Sequence, residues 1–409
     1  DLHLCDRRQR QMCIRDSSKF ISNGVSGSYG FGGVFNSQST PIEIINSEFM
    51  NNFASGSNPW GGVGMFSGAT FGIVNSTFVN NSVRNEAMST DDDKNLGGAI
   101  FAQNSATVNI VNSIFKENAA VNKGGALYAQ GNSNFIITDS LFVNNSARNG
   151  GAIYSKEGSV PMSVKDSCFK NNNATAGGAI FTDGTSSGDV SNSTFINNSA
   201  NMGGAIVATS GCNVKNSYFE NNSALSGEIK EGGAIYAFST DLEVKDSIFN
   251  NCSANFAGAI CSLNSEMLIS YSNFTNNLAR YEGGAIYKMY GSGTVIKSNF
   301  TKNAALNGGA LFSDNCTSFE IRNSEFVSNA ATGFGGAIFS NANPKLTVDG
   351  VIFSDNKASY NANILNQSNF SPIVSSSNNY SLFVYKSLFN GTLPVSYTHL
   401  RAHETLSDL

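Results

Sequence analysis

Apolar positions recur along this chain at fixed distances before a repeated phenylalanine. The residue five positions earlier is always Ile or Val, and the residue seven positions earlier is usually apolar. Two apolar positions two residues apart predict a short β-strand with one buried face. The position four before the Phe is often charged and is predicted to face water, as at Lys165, Lys215, Lys245 and Arg322. The repeated phenylalanines are Phe49, Phe78, Phe115, Phe142, Phe169, Phe195, Phe219, Phe249, Phe274, Phe300, Phe326 and Phe353.

An odd spacing of five would place the Ile or Val and the Phe on opposite faces of a straight strand. Because both positions are apolar in every copy, we expect both to be buried and the chain to bend between them. Asn and Asp suit such a bend, since they bond to nearby backbone groups and tolerate turn geometry. They occur three residues before the Phe, at Asn46, Asn75, Asn112, Asp139, Asp166, Asn192, Asn216, Asp246 and Asn323.

A second bend is predicted at the Asn-Asn pair after most of the phenylalanines, and a third at a Gly-Gly pair, where residues without Cβ permit unusual backbone angles. Most steps between copies are 25 to 29 residues, a period that is typical of a stacked repeat protein. Three bends and three short strands describe one coil of ~26 residues, so the sequence predicts an all-β fold, a right-handed parallel β-helix of about 12 coils. The pairs begin at Gly32, Gly61, Gly97, Gly124, Gly150, Gly177, Gly203, Gly232, Gly283, Gly308 and Gly335, with Ala257 before Gly258 in the remaining position.

A helical repeat is the alternative architecture. Helical solenoids need long segments of good helix formers with a period of 3.6 residues. The segments here are short, β-branched and interrupted by Gly and Asn every few residues. The pattern therefore favours strands, which would stack about 4.8 Å apart from coil to coil.

The two ends of the chain are related through the DNA that would encode them. Residues 12–16 read MCIRD, which ATG TGT ATA AGA GAC encodes, and residues 395–399 read VSYTH, which the reverse complement of that DNA encodes. One inverted DNA element read from either end would produce both, as in a translated sequencing adapter. We therefore predict that residues 1–17 and 395–409 are not native, and that residues 18–394 are a single β-helix domain truncated at both ends.

Composition narrows the possible partners. The formal net charge is −5, and all three histidines (His3, His399 and His403) lie in the predicted adapter segments. Without a basic patch the chain has no electrostatic footprint for nucleic acid, and no apolar run approaches the ~20 residues of a membrane-spanning helix. We therefore expect no nucleic-acid partner and no transmembrane segment.

Five cysteines lie between residues 18 and 394, at Cys168, Cys212, Cys252, Cys261 and Cys316. They show no C-x-x-C spacing and no histidine partner, so zinc is not expected. We interpret them as small apolar residues of the core. The sequence does not decide whether Cys252 and Cys261 form a disulfide bond. No metal and no other cofactor is predicted.

The alternation of GGAI with F-x-x-N resembles the repeat of the chlamydial polymorphic outer-membrane proteins. It is clear in residues 150–172, GGAIYSKEG followed by DSCFKNN, and it covers nearly all of residues 18–394. Similar repeats occur in adhesin-like surface proteins of other microbes. The resemblance implies a right-handed parallel β-helix of the pectate lyase type, exposure on the cell surface, and adhesion. In the chlamydial type it also implies an outer-membrane location and export as an autotransporter passenger.

Because parallel β-helices also include polysaccharide lyases and glycoside hydrolases, an enzyme is the alternative. Glycoside hydrolysis needs paired carboxylates that face one cleft. The best candidates are Asp139 and Asp166, at matching positions of successive coils, with Lys165 beside them. The same column carries Asn112 and Asn192, and a turn cap accepts either residue type, so we interpret the two aspartates as structural. The acidic run at residues 91–93 is expected to be a solvated loop.

The connection between the closing Asn and the next Gly-Gly pair varies most in length. Longer connections occur at 53–60, with the only Trp, at 82–96 and at 223–231. All leave the same corner, so they should project along one edge, either as tolerated decorations or as a binding face for a host or neighbouring cell surface, protein or glycan.

The sequence thus predicts a cell-surface or secreted domain with an adhesin-like or structural role and without catalytic activity. A polysaccharide lyase or glycoside hydrolase is the alternative. The sequence identifies no catalytic, cofactor-binding or metal-binding residue, and it does not identify the ligand-binding residues.

Overall fold

The computed structural model describes residues 12–14, 17–84, 94–157, 161–184, 187–225, 230–359, 374–376, 381–385, 387–390 and 395–396. Within these residues the chain forms β-strands and turns and no helix. Strands pair in parallel, and the chain winds as a parallel β-solenoid of about 12 turns, which confirms the predicted fold class. Its coils fall into two compact units, Asp1–Thr194 and Phe195–Leu409, which are described in turn.

A coil of the first unit contains up to four short strands, and each pairs with the strand at the same position in the next coil. The first strands follow the Gly-Gly pairs and are Phe35–Gln38, Gly64–Ser67, Ile100–Gln103, Leu127–Ala129, Ile153–Lys156 and Ile180–Asp183. The second strands are Met12–Ile14, Ile42–Ile45, Thr70–Val74, Thr107–Val111, Asn134–Thr138, Met162–Lys165 and Gly188–Ser191. The third strands carry the repeated Phe and are Lys19–Ile21, Glu48–Met50, Thr77–Val79, Ile114–Lys116, Leu141–Val143 and Cys168–Lys170. The fourth strands are Gly24–Gly27, Phe53–Gly56, Ser82–Arg84 and Ala119–Ala120.

The second unit repeats this order after strand Thr194–Ile196, which carries its first Phe. In two coils the first and second strands are continuous, as Ile260–Ser270 and Ile286–Ile296. The other first strands are Ile206–Ala208, Ile235–Phe238, Leu311–Asp314, Ile338–Asn341, Val374–Ser376 and Val395–Ser396, and the other second strands are Cys212–Lys215, Leu242–Lys245, Ser318–Arg322, Lys345–Asp349 and Ser381–Tyr385. The third strands are Tyr218–Glu220, Ile248–Asn250, Asn273–Thr275, Asn299–Thr301, Glu325–Val327, Ile352–Ser354 and Leu388–Asn390. The fourth strands are Ser199–Ala200, Ser223–Ala224, Ser253–Phe256, Leu278–Glu282, Ala304–Ala305, Ala330–Ala331 and Lys357–Ala358.

Most of the two predicted adapter segments lies outside the described residues. The exceptions are Met12–Ile14, which pairs with Ile42–Ile44, residue 17, and Val395–Ser396, which pairs with residues 374–375. Neither pairing tests whether these segments are native, so the proposed boundaries at residues 17 and 395 stay a prediction.

The interior of each unit is built from columns of identical residues. Third strands pair in register, so that each Phe lies beside the Phe of the next coil. Phe78 and Phe115, in the first unit, stack with ring centroids 4.6 Å apart, and Phe249 and Phe274, in the second, stack at 4.8 Å. The Ile and Val residues five positions before each Phe are also buried. Both predicted apolar columns are therefore inside.

The bends before and after the Phe lie where the sequence predicted them. Asp139, three residues before Phe142, has a φ of 51°, and Asn144, two residues after it, has a φ of 55°. Both lie in the left-handed region, which Asn and Asp tolerate better than other residues with a Cβ. The bend at Asp139 turns the chain between Ile137 and Phe142, which is why two residues five apart can face the same interior.

The prediction of three strands and three bends per coil was incomplete. A further bend separates the first strand from the second, and a short fourth strand precedes the Gly-Gly pair. No single residue type occupies the extra bend in every coil, so no column marked it in the sequence. Its left-handed residues in the first unit include Ser39, Gly68, Asn104, Gly131, Glu157 and Gly184.

Each glycine of a Gly-Gly pair is required for a different reason. Gly124, the first of its pair, has a φ of 67°, where a residue with a Cβ is strained. A Cβ on Gly125, the second, would lie 2.0 Å from the carbonyl oxygen of Gly151 in the next coil. The first glycine therefore permits the bend, and the second permits the close approach of neighbouring coils.

The third residue after most of the phenylalanines is an asparagine that belongs to a column of buried amides. The backbone N and the Nδ2 of Asn118 both donate to Oδ1 of Asn145, each at 3.0 Å, and Nδ2 also donates to the carbonyl oxygen of Phe78 at 3.0 Å. One side chain thus bonds to the coils on both sides. The asparagines of this column are Asn52, Asn81, Asn118, Asn145 and Asn172 in the first unit and Asn198, Asn222, Asn277, Asn303, Asn329 and Asn356 in the second.

Cys252 interrupts this column between Asn222 and Asn277. The backbone and side-chain donors of Asn222 face the Cys252 sulfur, which accepts hydrogen bonds only weakly. We expect Cys252→Asn to restore the column and to raise the free energy of unfolding by about 1 kcal/mol in urea denaturation. Cys252→Ser, with a side chain too short to reach both neighbouring coils, is the control. Equal stability of the two variants would contradict the expectation.

Candidate binding surfaces

The carboxylates that the sequence offered as catalytic candidates lie at an exposed bend. Asp139 and Asp166 have φ values of 51° and 49°. Oδ1 of Asp166 accepts from Nδ2 of Asn192 at 3.1 Å, and Nζ of Lys165 lies 3.5 Å from its Oδ2. This pattern of neighbouring bend residues bonded to each other is what a turn-capping role requires. The acidic run at 91–93 lies outside the described residues.

The variable connections of the first unit converge on one line. The residue before each Gly-Gly pair bridges to its counterpart in the next coil, so that Trp60 lies between Phe31 and Leu96, and Leu96 lies beside Lys123. The connections 53–60 and 82–96 both end on this line, as the sequence predicted. Most connections between the closing Asn and the next Gly-Gly pair have four or five residues. These short connections end at the same line of residues. Length variation is therefore largest at this corner of the coil.

An aromatic row that the sequence analysis missed lies on the outer side of the first strands in the first unit. Trp60 stacks between Phe31 and Phe101, with centroids 4.8 Å apart on each side. Phe101 continues the row to Tyr128 at 5.3 Å and Tyr128 to Tyr154 at 5.4 Å. The signal in the sequence was an aromatic residue directly after many of the GGAI or GGAL segments. Because alternation sends that residue outward, it did not appear as a core position.

Trp60 is a partly buried member of this row, like Phe31, whereas Phe101, Tyr128 and Tyr154 are buried. Both faces of its indole are covered by neighbouring rings, but its Nε1 is buried and has no hydrogen-bond partner. Nearby, Asn95 is fully buried, and neither polar atom of its side chain is bonded. Buried polar groups without partners are rare in folded proteins, so Trp60 and Asn95 make this corner unusual among the described residues.

The second unit has two half-buried glutamates on its corresponding line. Glu231 bridges to Phe256, and Phe256 pairs with Glu282 in the next coil. Burial raises the pKa of Glu231, and burial with the nearby charge of Asp314 raises the pKa of Glu282. The sequence analysis missed these carboxylates, because they lie two coils apart and glutamate does not recur at this position in the other coils.

All five cysteines predicted to fill the core are free thiols in the structure, so the bridge between Cys252 and Cys261 is not formed. Cys168 is partly exposed, and the other four are buried. Burial raises the pKa of Cys252 to about 12 and that of Cys316 to about 11, so both stay protonated at neutral pH. Within the described residues no group of three or more His, Cys, Asp or Glu side chains could hold a metal ion.

One cation is buried inside the second unit. Lys288 has no exposed surface, and its Nζ donates to the carbonyl oxygen of Ser265 at 2.9 Å, to the Ser265 hydroxyl at 3.4 Å, and to the carbonyl oxygen of Tyr290. Burial lowers the pKa of Lys288. Because all three hydrogens have neutral acceptors within the fold, the ammonium serves to bridge two coils at the bend.

Comparison with known families agrees with this architecture. Residues 93–249 match the model of the right-handed beta helix region, so the coils define a right-handed parallel β-helix protein. Residues 271–288, which include Phe274 and Gly283, match the model of the Chlamydia polymorphic membrane protein repeat. The two matches support the resemblance based on the GGAI and F-x-x-N motifs. No described residue belongs to a helix that could cross a membrane.

Two similar solved structures are crystal structures of the periplasmic alginate epimerase AlgG, one of them a point mutant. They are 9% and 10% identical to this chain, and each alignment covers 86% of this chain and 77% of the other. The TM-scores are 0.30 and 0.39, values at which the similarity says nothing about activity. No curated protein matches the sequence.

Proposed function

We propose that this protein is a cell-surface or secreted adhesin-like domain without catalytic activity, which binds a protein or glycan on a host or neighbouring cell. The observation that carries the proposal is the corner before the Gly-Gly pairs, where the long connections of the first unit converge beside Trp60. The match to the polymorphic membrane protein repeat supports a location at the outer membrane or cell surface. In that setting the domain would act as an exported passenger.

The fold suits this role because the residues that hold the coils together are separate from the loops of the proposed binding face. The buried Phe and Asn columns hold the coils in register, and loops on a rigid scaffold can change without loss of the fold. Trp60 ends one of these connections, and tryptophan is enriched at binding surfaces because its large ring is amphipathic. Variation in the connections would then change the partner and preserve the β-helix.

The test is deletion of residues 85–93. Ser82 and Val83 pair with Ala119 and Ala120 and Leu96 is buried, so these residues must stay. The remaining connection has six residues, 82–84 and 94–96, close to the usual four or five. We expect an unchanged circular dichroism spectrum, and attachment of protein-coated beads to epithelial and bacterial cells reduced about tenfold.

Two substitutions sharpen this experiment. Trp60→Phe keeps an aromatic ring between Phe31 and Phe101 but reduces the partly exposed ring surface at this corner, so it should weaken attachment with little loss of stability. Ile136→Ser alters a side chain of the second strand that is 40% exposed and lies away from the corner, so it should attach as the wild type does. If the deletion variant and Trp60→Phe both attach like the wild type, this corner is not the binding face.

A polysaccharide-processing enzyme is the second candidate, favoured by Glu231 and Glu282. Two coil spacings separate their backbones by roughly 9.6 Å, near the upper limit for the carboxylates of inverting glycosidases. Their raised pKa values suit a general acid. Release of reducing ends from uronate or neutral polysaccharides, abolished by Glu282→Gln, would establish this activity. Absence of release by the wild-type chain would leave adhesion as the function.

A further inference from the structure

Tyr271 is an exposed aromatic residue held between two cations on the second unit. It occupies the bend position three residues before Phe274, and 48% of its surface is exposed. Nζ of Lys297, in the next coil, lies 5.1 Å from its ring centroid and 3.2 Å from its hydroxyl oxygen. Nζ of Lys245, in the preceding coil, lies 5.9 Å from the centroid. Three successive coils thus place a phenol between two ammonium groups.

The backbone of Tyr271 is strained, which makes this arrangement unusual for a purely structural bend. Its φ is 51°, a region that Asn and Asp tolerate and that disfavours bulky residues. The surrounding ladder fixes it there, since its N–H donates to the carbonyl oxygen of Ile296 at 3.0 Å. Equivalent bends use Asn216, Asp246 and Asn323, whereas the next coil has Lys297 there with a φ of 47°. A strained residue that the fold holds at an exposed position is a reason to examine its surroundings for a function.

The face beside Tyr271 carries uncharged polar groups in register. Strands Asn273–Thr275 and Asn299–Thr301 pair so that Asn273 lies beside Asn299 and Thr275 beside Thr301. Because the intervening phenylalanines point inward, these amides and hydroxyls point outward. They can donate to and accept from the hydroxyl groups of a sugar chain that lies across the coils.

The charges around this face are not equivalent. Lys215 and Arg322 also lie on it, but each has a carboxylate partner, Glu243 at 3.7 Å and Glu320 at 2.6 Å respectively. The carboxylate in the same column as Tyr271 is that of Asp246, which precedes it by one coil. With Asp246 included, the group of Lys245, Asp246 and Lys297 keeps a net positive charge in a chain whose formal net charge is −5.

We propose that Lys245, Tyr271 and Lys297 form a binding site for an acidic polysaccharide. The two ammonium groups and the phenol hydroxyl would bind a carboxylate or sulfate group, and the amides and hydroxyls of residues 273–275 and 299–301 would bind the neighbouring sugar hydroxyls. Coils about 4.8 Å apart present these groups along one direction, which suits an extended polymer. The site lies at the bend before the Phe, so it is distinct from the corner before the Gly-Gly pairs to which we assign cell attachment.

Single-stranded nucleic acid is the other polyanion that combines charge with aromatic contacts. Proteins that bind single-stranded nucleic acid stack its bases on the free faces of aromatic rings. The faces of Tyr271 are turned toward Lys245 and Lys297 in the adjacent coils, so a base would have to displace an ammonium group. This geometry favours an acidic sugar over a nucleic acid.

The test measures binding of the full chain to heparin, polygalacturonate, dextran and single-stranded DNA at low ionic strength. We expect binding to at least one of the two acidic polysaccharides, none to dextran, and weaker binding to DNA. Heparin alone would identify sulfate as the ligand group, and polygalacturonate would identify carboxylate. The double variant Lys245→Gln/Lys297→Gln should bind about tenfold more weakly.

The matched control is Lys215→Gln/Arg322→Gln, which removes the same charge from cations that already have carboxylate partners, and it should bind like the wild type. Tyr271→Asn should weaken binding while leaving the melting temperature equal or higher, because Asn relieves the backbone strain. Failure of both acidic polysaccharides to bind, equal losses in the two double variants, or stronger binding to DNA would each overturn the proposal. Deletion of residues 85–93 should not affect this assay, so the two sites are tested separately.

Discussion

Replacement of Phe249 by alanine should lower the free energy of unfolding by about 3–5 kcal/mol. The Phe249 ring is fully buried and stacks between Phe219 at 4.7 Å and Phe274 at 4.8 Å. Alanine would remove both contacts and leave a cavity that cannot collapse, because the coils on each side are held in register by their backbone hydrogen bonds. Urea denaturation followed by circular dichroism measures the loss.

The adjacent residue provides the control. Ile248 belongs to the same strand but points outward, and 41% of its surface is exposed. Ile248→Ala should therefore cost less than about 1 kcal/mol. If the two variants lost similar stability, the Phe column would not be the core of the unit, and the account of how the repeat folds would be wrong.

The columns were predictable because one coil repeats many times in the sequence. A single coil would have left the spacing of five between Ile137 and Phe142 ambiguous. Repetition showed that both positions stay apolar, and Asp139 between them supplied the bend. The physical reason is that parallel in-register stacking places equivalent residues in contact. Equivalent positions therefore share one environment, and the sequence shows the same type of residue there in several coils.

Features without a recurring residue type were missed. The extra bend uses Ser39 in one coil and Glu157 in another, because many polar residues satisfy a tight turn at the surface. The pair Glu231 and Glu282 occurs in two coils only, and their raised pKa values follow from burial that a sequence does not display. Candidate sites in a repeat protein arise where coils differ, and such positions leave no periodic signal.

The buried amide column was predicted only in part. The sequence identified the Asn-Asn pair as a bend, which describes the exposed Asn144 with its φ of 55°. It did not separate that residue from Asn145, which has no exposed surface. Two identical neighbours thus have different roles, one in shaping the backbone and one in bonding the coils together. This difference follows from the side-chain alternation that resumes after the bend.

Asn145→Ala should therefore destabilise the protein by about 3–5 kcal/mol. Oδ1 of Asn145 accepts from the backbone N and the Nδ2 of Asn118, and its Nδ2 donates to the carbonyl oxygen of Phe115 at 2.9 Å. Alanine would leave these buried groups without those partners, and an unsatisfied buried polar group costs about 1–3 kcal/mol. Hydrogen exchange at the Asn118 amide should accelerate together with the loss of stability. Asn144→Gly, which keeps the left-handed bend at an exposed position, should change the stability by less than about 0.5 kcal/mol; comparable losses in the two variants would show that the amide column does not hold the coils together.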